Sequence, residues 1–182
     1  MIKIAFVNDK DEIIGSGTKE EAWKNGNIHR IVRIFVFNSK GEMLIQERSE
    51  NMAIWPGRWD ISVGGHEDEG EDYVTAAKRE AQEELGIENI ELKEVKKYFT
   101  DSMRDGGKIV KRFNMLFTAN YDGKISFDKY EVSDMKWISL EELQKWMRER
   151  PKDFTDSFIE SLEIYKAEEE KIKIDLSNLR YV

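Results

Sequence analysis

Residues 65–87 read GHEDEGEDYVTAAKREAQEELGI, a glycine turn followed by a helix crowded with acids. The pattern predicts a helix start near Glu71 or Asp72, an apolar stripe of Val74, Ala77, Ala81 and Leu85, and a stop at Gly86. At helical pitch, Glu80, Glu83 and Glu84 fall close together on one side. Like charges at that spacing repel, and Glu83 and Glu84 stand at the negative C-terminal end, where anions are disfavoured. A purely structural helix would gain by placing lysine there, whereas a hard divalent cation needs oxygen ligands grouped in this way. The competing reading is an ordinary amphipathic surface helix rich in acids.

The rest of the chain narrows the classes. At 182 residues it fits one domain, residues 1–182, with a substantial core. A formal charge of -8 argues against a partner that is a nucleic-acid polymer, yet leaves room for a phosphorylated small molecule screened by metal ions. No cysteine is present, which excludes disulfides, zinc–thiolate sites and a cysteine nucleophile. No apolar run approaches membrane-spanning length, and MIKIAFVNDKDEII carries charges where a signal peptide would be apolar. The expectation is a soluble cytoplasmic protein with no membrane partner, a monomer or a homodimer.

Residues 2–7 and 12–16 read as strands of a hairpin turned at Asn8–Asp11. Thr18 with Glu21 has capping-box spacing for a short helix closed by Gly26. Ile28–Phe37 reads as a buried central strand, Asn38–Gly41 as a turn, and Met43–Glu47 as its partner. Trp59–Val63 reads as another strand, broken by Gly64 and Gly65 just before the acidic helix. Strand-like segments follow near Ile90–Phe99 and Val110–Ala119, then a turn at Asp122-Gly123. Ser139 caps a helix over Leu140–Arg148, Pro151 ends it, and a last helix carries Phe154, Phe158, Leu162 and Tyr165 at helical spacing. The C-terminal helices thus occupy about 139–170.

The acidic segment resembles the signature of the Nudix hydrolases: Gly, five residues, Glu, seven residues, then Arg-Glu-aliphatic-any-Glu-Glu-any-Gly-aliphatic. Here these are Gly65, Glu71, Arg79, Glu80, Ala81, Glu83, Glu84, Gly86 and Ile87; Ala81 is smaller than the usual aliphatic. The resemblance implies an α+β fold, the Nudix α/β/α sandwich with a mixed sheet between helices. It also implies magnesium, with manganese as a substitute, held by Glu80, Glu83 and Glu84 and assisted by a backbone carbonyl near Gly64 or Gly65. Arg79 and Glu71 are implied as a brace for the acidic face. The general base is left between Glu80 and Glu131, the latter ahead of a tryptophan-bearing strand.

A second resemblance runs through DEIIG, HRIVRIFVFNSKGEMLIQERS and WPGRWDISVGGH, which look like type 1 isopentenyl diphosphate isomerase. From that branch Arg48 is implied as a diphosphate ligand, and His29 and His66 as half of a further metal site, with Ala22 falling near where another histidine would stand. The plainer reading, which is preferred, makes His66 a hydrogen-bonding histidine beside the glycine turn. The isomerase cysteine is replaced by Gly64, its later glutamate falls in IVKRFNMLF, which has no carboxylate, and the box is intact. Lys108, Lys111 and Arg112 form a basic cluster, either substrate-binding or a solvated strand face. Trp55 could stack on a base or close the Pro56-Gly57 loop. The expected function is metal-dependent hydrolysis of a diphosphate linkage in a nucleoside diphosphate derivative or a nucleoside di- or triphosphate. An isomerase-like enzyme and a silent nucleotide-binding module are the alternatives.

Overall fold

The computed structural model describes residues 2–103 and 109–178. β1 (Ile4–Val7) and β2 (Ile13–Gly17) form the expected hairpin, and the Asn8 side chain accepts from the amides of Lys10 and Glu12 to hold its turn. α1 (Lys19–Asn25) opens on the Thr18–Glu21 capping box and closes at Gly26, left-handed at φ 70°. β3 (His29–Phe37) is the centre of a mixed sheet that has nine strands among the described residues. It runs parallel to β8 (Ile109–Asn120) along its whole length. Its other side is shared: β1 meets it at His29, β6 (Val63–His66) over Ile31–Ile34, and β4 (Met43–Arg48) at Phe37. β5 (Trp59–Asp60) and β9 (Val132–Ile138) pair with β4, and β7 (Lys93–Met103) pairs with β8.

Alternate residues of β3 serve opposite layers, as the two-residue period of a strand requires. Val32, Ile34 and Val36 pack with Phe117 and Ala119 against α2 (Tyr73–Leu85). Phe35 and Leu116 face the other way, toward α3 (Leu140–Glu149) and α4 (Asp156–Asn178), in a core of Leu143, Met147, Phe154, Phe158 and Leu162. The sheet therefore lies between helices. No described helix is long and apolar enough to cross a membrane.

α2 is capped by Asp72 and stopped by Gly86, left-handed at φ 66°. It meets the sheet through Ala76, Ala77 and Ala81, all fully buried, so its backbone lies close against the strands. The short side chain of Ala81 suits that contact. One residue of the expected stripe is misplaced: Val74 is 38% exposed. The core-facing row is the i, i+4 series of part-buried Tyr73 and buried Ala77, Ala81 and Leu85, flanked by Ala76, and Val74 falls outside it.

The expected strand Trp59–Val63 is divided. Residues 59–60 pair with β4 and 63–66 with β3, because the two partners diverge between those points. Buried Ser62 staples the gap, donating to the Leu44 carbonyl at 2.6 Å and accepting from the Val36 amide at 2.9 Å. Gly64 and Gly65 continue β6 rather than breaking it. Ile90 is a core residue ahead of β7 rather than part of it, and Phe154 precedes α4, whose helix extends past residue 170 to Asn178.

A second polar anchor joins the hairpin to this core. The Asp11 carboxylate accepts from Arg30 Nε and Lys97 Nζ, each at 2.7 Å, and from the Tyr73 hydroxyl at 3.1 Å. Arg30 also donates to Glu67 at 2.8 Å. Removing an acid from such a network strands its partners, so Asp11→Ala is expected to destabilise by about 3 kcal/mol in urea unfolding.

Candidate active site

Where β3 and β4 diverge there is a cleft of about 620 Å³, and the acids of α2 reach into it. Gly65 makes that approach possible. A Cβ there would stand 1.9 Å from Glu80 Cδ, so only glycine leaves space for the carboxylate. Glu80, Glu83 and Glu84 line the cleft with Gly64, Gly65, Asp68 and Glu131.

Arg79 organises these acids. Its Nε and one terminal nitrogen donate to the two oxygens of Glu71, both at 2.9 Å, and the same nitrogen donates to the His66 carbonyl at 2.8 Å. The other terminal nitrogen bridges Glu80 at 2.8 Å and Glu83 at 3.1 Å. Glu71 further accepts from the Asp68 amide at 3.0 Å, pinning the loop. The Arg79–Glu71 pairing expected from the sequence is thus present as a two-bond fork.

Glu84 sits differently. It accepts from Gln46 Nε2 at 3.2 Å, and burial, reinforced by the neighbouring Glu80 charge, pushes its carboxyl up to about 8. Burial also raises Glu80, against the pull of Arg79. Of the three acids Glu83 is the most open to solvent, with a side chain 60% exposed. Among the described residues, no group of three Asp, Glu or His side chains is arranged to hold an ion as it stands. Glu80 and Glu83 are instead turned toward Arg79. The donor chemistry nevertheless fits a hard cation: all oxygen, two carboxylates held up by burial, and a glycine cradle beneath one of them.

Of the basic residues expected to bind substrate, Arg48 lines the cleft and is steadied by the Ile54 carbonyl at 3.0 Å and Asp60 at 3.4 Å. Arg112 lines it too, but Lys111 does not: as its strand neighbour it points to the opposite face and pairs with Asp101 at 3.7 Å. Lys108 lies outside the described residues. Glu131 is exposed at the rim, where its charge adds to the upward push on Glu84. Trp55 lines the cleft at φ 56°, with the Arg58 guanidinium 3.9 Å over its ring, while Trp59 belongs to the core.

His29 and His66 stack with ring centroids 5.3 Å apart. Burial lowers both, His29 to about 4, and the nearby charges of Lys19 and Arg112 push in the same direction. Both rings are held neutral, and the Nε2 atom of each is buried without a hydrogen-bond partner among the described residues. Neutral His29 also makes a pH prediction. It takes up a proton at 6.5 when unfolded but only near 4 when folded, so stability falls as pH drops from 6.5 toward 4. The loss is expected to reach about 3 kcal/mol, and His29→Asn should flatten that slope in urea melts at pH 7 and pH 4.5.

Sequence reading missed Gln46, which holds Glu84, and Arg33, which is 5% exposed and lines the cleft. The signal for Arg33 was an arginine inside the apolar run Ile31–Phe37. Nothing in the sequence marked Gln46.

The NUDIX domain model matches residues 27–158. An uncharacterized Nudix hydrolase of Pseudomonas aeruginosa is 32% identical over 162 residues, spanning 89% of this chain and 92% of its own. An isopentenyl-diphosphate Delta-isomerase of Serratia proteamaculans is 30% identical over 156 residues, spanning 86% and 87%. A crystal structure from Deinococcus radiodurans superposes with a TM-score of 0.67 at 26% identity, covering 81% of this chain and 89% of that one. The chain belongs to the Nudix family, as a pyrophosphohydrolase of a branch that resembles isopentenyl diphosphate isomerase.

Proposed function

We propose that residues 1–182 act as a single unit that hydrolyses a diphosphate linkage in a nucleoside diphosphate derivative or a nucleoside di- or triphosphate, in the cytoplasm. The observation that carries this reading is the pair Glu80 and Glu84, two part-buried carboxylates that line one cleft, the first in the space left by Gly65 and the second held by Gln46. Magnesium or manganese held by Glu80, Glu83, Glu84 and the Gly65 carbonyl would neutralise phosphate oxygens and lower the pKa of a water. Arg79, clamped by Glu71 and the His66 carbonyl, positions Glu80 and Glu83. Arg48, on the acidic side of the cleft, faces the diphosphate that is cut. Water attacks one phosphorus, the bridging P–O bond breaks, and the water proton passes to a carboxylate, Glu80 or Glu131.

The isomerase alternative has no cysteine for its chemistry; Gly64 stands in that position, and Arg112 and Val110 occupy the stretch that lacks the later glutamate. The deciding experiment incubates the protein, with each cation, on a panel of nucleotide anhydrides and on isopentenyl diphosphate. Release of nucleoside monophosphate or phosphate supports hydrolysis. Formation of dimethylallyl diphosphate would overturn the assignment, and binding without turnover would favour the silent module.

A further inference from the structure

The cleft has two chemically opposite sides, and the hydrolase reading uses one of them. The acids of α2 enter past Gly65 from the sheet face that carries Val32 and Ile34. On the other face the strand register sets Arg33 opposite Gly64, Ile31 opposite both His66 and Asn114, and His29 opposite Arg112. That face is apolar at Phe35 and Leu116, where the helices cover it, and becomes basic where the cleft begins.

Arg33 is the informative residue. It is 5% exposed in the middle of the central strand, and among the described residues no carboxylate pairs with it. Its Nε donates to Asn114 Oδ1 at 3.1 Å, and Asn114 is itself fixed by donating to Thr100 Oγ1 at 3.0 Å. The guanidinium is therefore oriented by a neutral side chain, with its terminal nitrogens left for the cleft that it lines. A buried cation without an anion is expensive, and a protein that retains one at a cleft wall gains most when a ligand brings the missing charge. Arg112, 8% exposed, and Lys19 line the same cleft, and both charges reach His66 together with that of Arg33. The His66 Nε2 atom is buried there without a protein partner, a neutral donor in its Nε2–H tautomer.

We propose that Arg33, with Arg112 and Lys19 beside it, forms a subsite for a phosphomonoester of the substrate, separate from the diphosphate linkage that is cut. The reaction named above supplies the substrate class; the subsite itself stands on the arginines. A phosphomonoester presents several oxygens to a fork of donors, which a single carbonyl or hydroxyl does not. It comes from one of two sources, the end of a longer polyphosphate chain or a phosphate on a ribose.

Two measurements test this. The first is binding of inorganic phosphate in EDTA, followed by calorimetry and by thermal shift, to wild type, Arg33→Gln and Arg33→Lys. Saturable binding to wild type, weakened about tenfold or more in Arg33→Gln and partly kept in Arg33→Lys, is expected. The second is the ratio of kcat/KM within matched pairs: NADPH against NADH for the ribose phosphate, and a nucleoside triphosphate against its diphosphate for the terminal one. One pair should show a preference of about tenfold or more, carried in KM, that collapses toward unity in Arg33→Gln. Absence of phosphate binding to wild type overturns the subsite, as does equal binding to Arg33→Gln. Turnover with no preference in either pair overturns it too. Phosphate binding that depends on Arg33, with no turnover of any anhydride, would retain the subsite and sink the hydrolase reading instead.

Discussion

Glu84→Gln is expected to lose turnover by about 100-fold or more, while the cation-free protein melts at or above the wild-type temperature. The two halves share one cause. Glu84 is held in a buried setting beside Glu80, with Gln46 as its neutral side-chain partner, so the folded protein bears the desolvation of its charge. Glutamine has nearly the same shape and an oxygen that can accept from Gln46, and it carries no charge to desolvate. What is removed is the capacity to hold a hard cation. Thermal scans with and without magnesium check this alongside turnover: the cation-induced rise in melting temperature should be present in wild type and absent in the variant. Unchanged turnover would remove Glu84 from the metal site. A large fall in cation-free stability would mean that its charge is structural.

Gly65→Ala is the second large effect, again with activity and stability moving apart. The added Cβ would collide with the Glu80 carboxyl at 1.9–2.4 Å. The colliding group is the far end of a flexible side chain, so the fold can relieve the clash by rotating Glu80 away, at about 1 kcal/mol of stability. Rotation takes the carboxylate out of the cleft and breaks its 2.8 Å bond to Arg79. Turnover should therefore fall by about 100-fold or more with a shift in melting temperature of only a few degrees. Gly64→Ala tests the steric argument: its Cβ would meet Ile61 at 3.3 Å and leaves Glu80 in place, so its loss should be much smaller. Equal losses from the two variants would refute the cradle.

The acidic helix was legible because its signals are local. Asp72 and Gly86 cap it through their own chain neighbours, and Glu71 and Arg79 meet within eight positions. The error at Val74 has a local origin too: periodicity places a stripe to within one residue, and the choice between adjacent rows belongs to the sheet beneath. Lys111 and Arg112 show the opposite failing. As neighbours in sequence they read as one basic cluster, whereas a strand turns them to opposite faces, one toward Asp101 and one into the cleft.

Caps, turns and the order of the elements follow from interactions within a few residues, and the sequence by itself determined those, along with the set of oxygen donors on one helix face. Only the tertiary structure decided where those donors would sit. The alanine contact of α2 and the bare Gly65 let the carboxylates reach the cleft, and burial there sets their charge behaviour apart from that of an exposed helix. The same packing sealed Arg33 into the facing wall, 81 positions from the Asn114 that orients it. Burial and long-range register are properties of the assembled sheet, since each depends on strands brought together from distant parts of the chain.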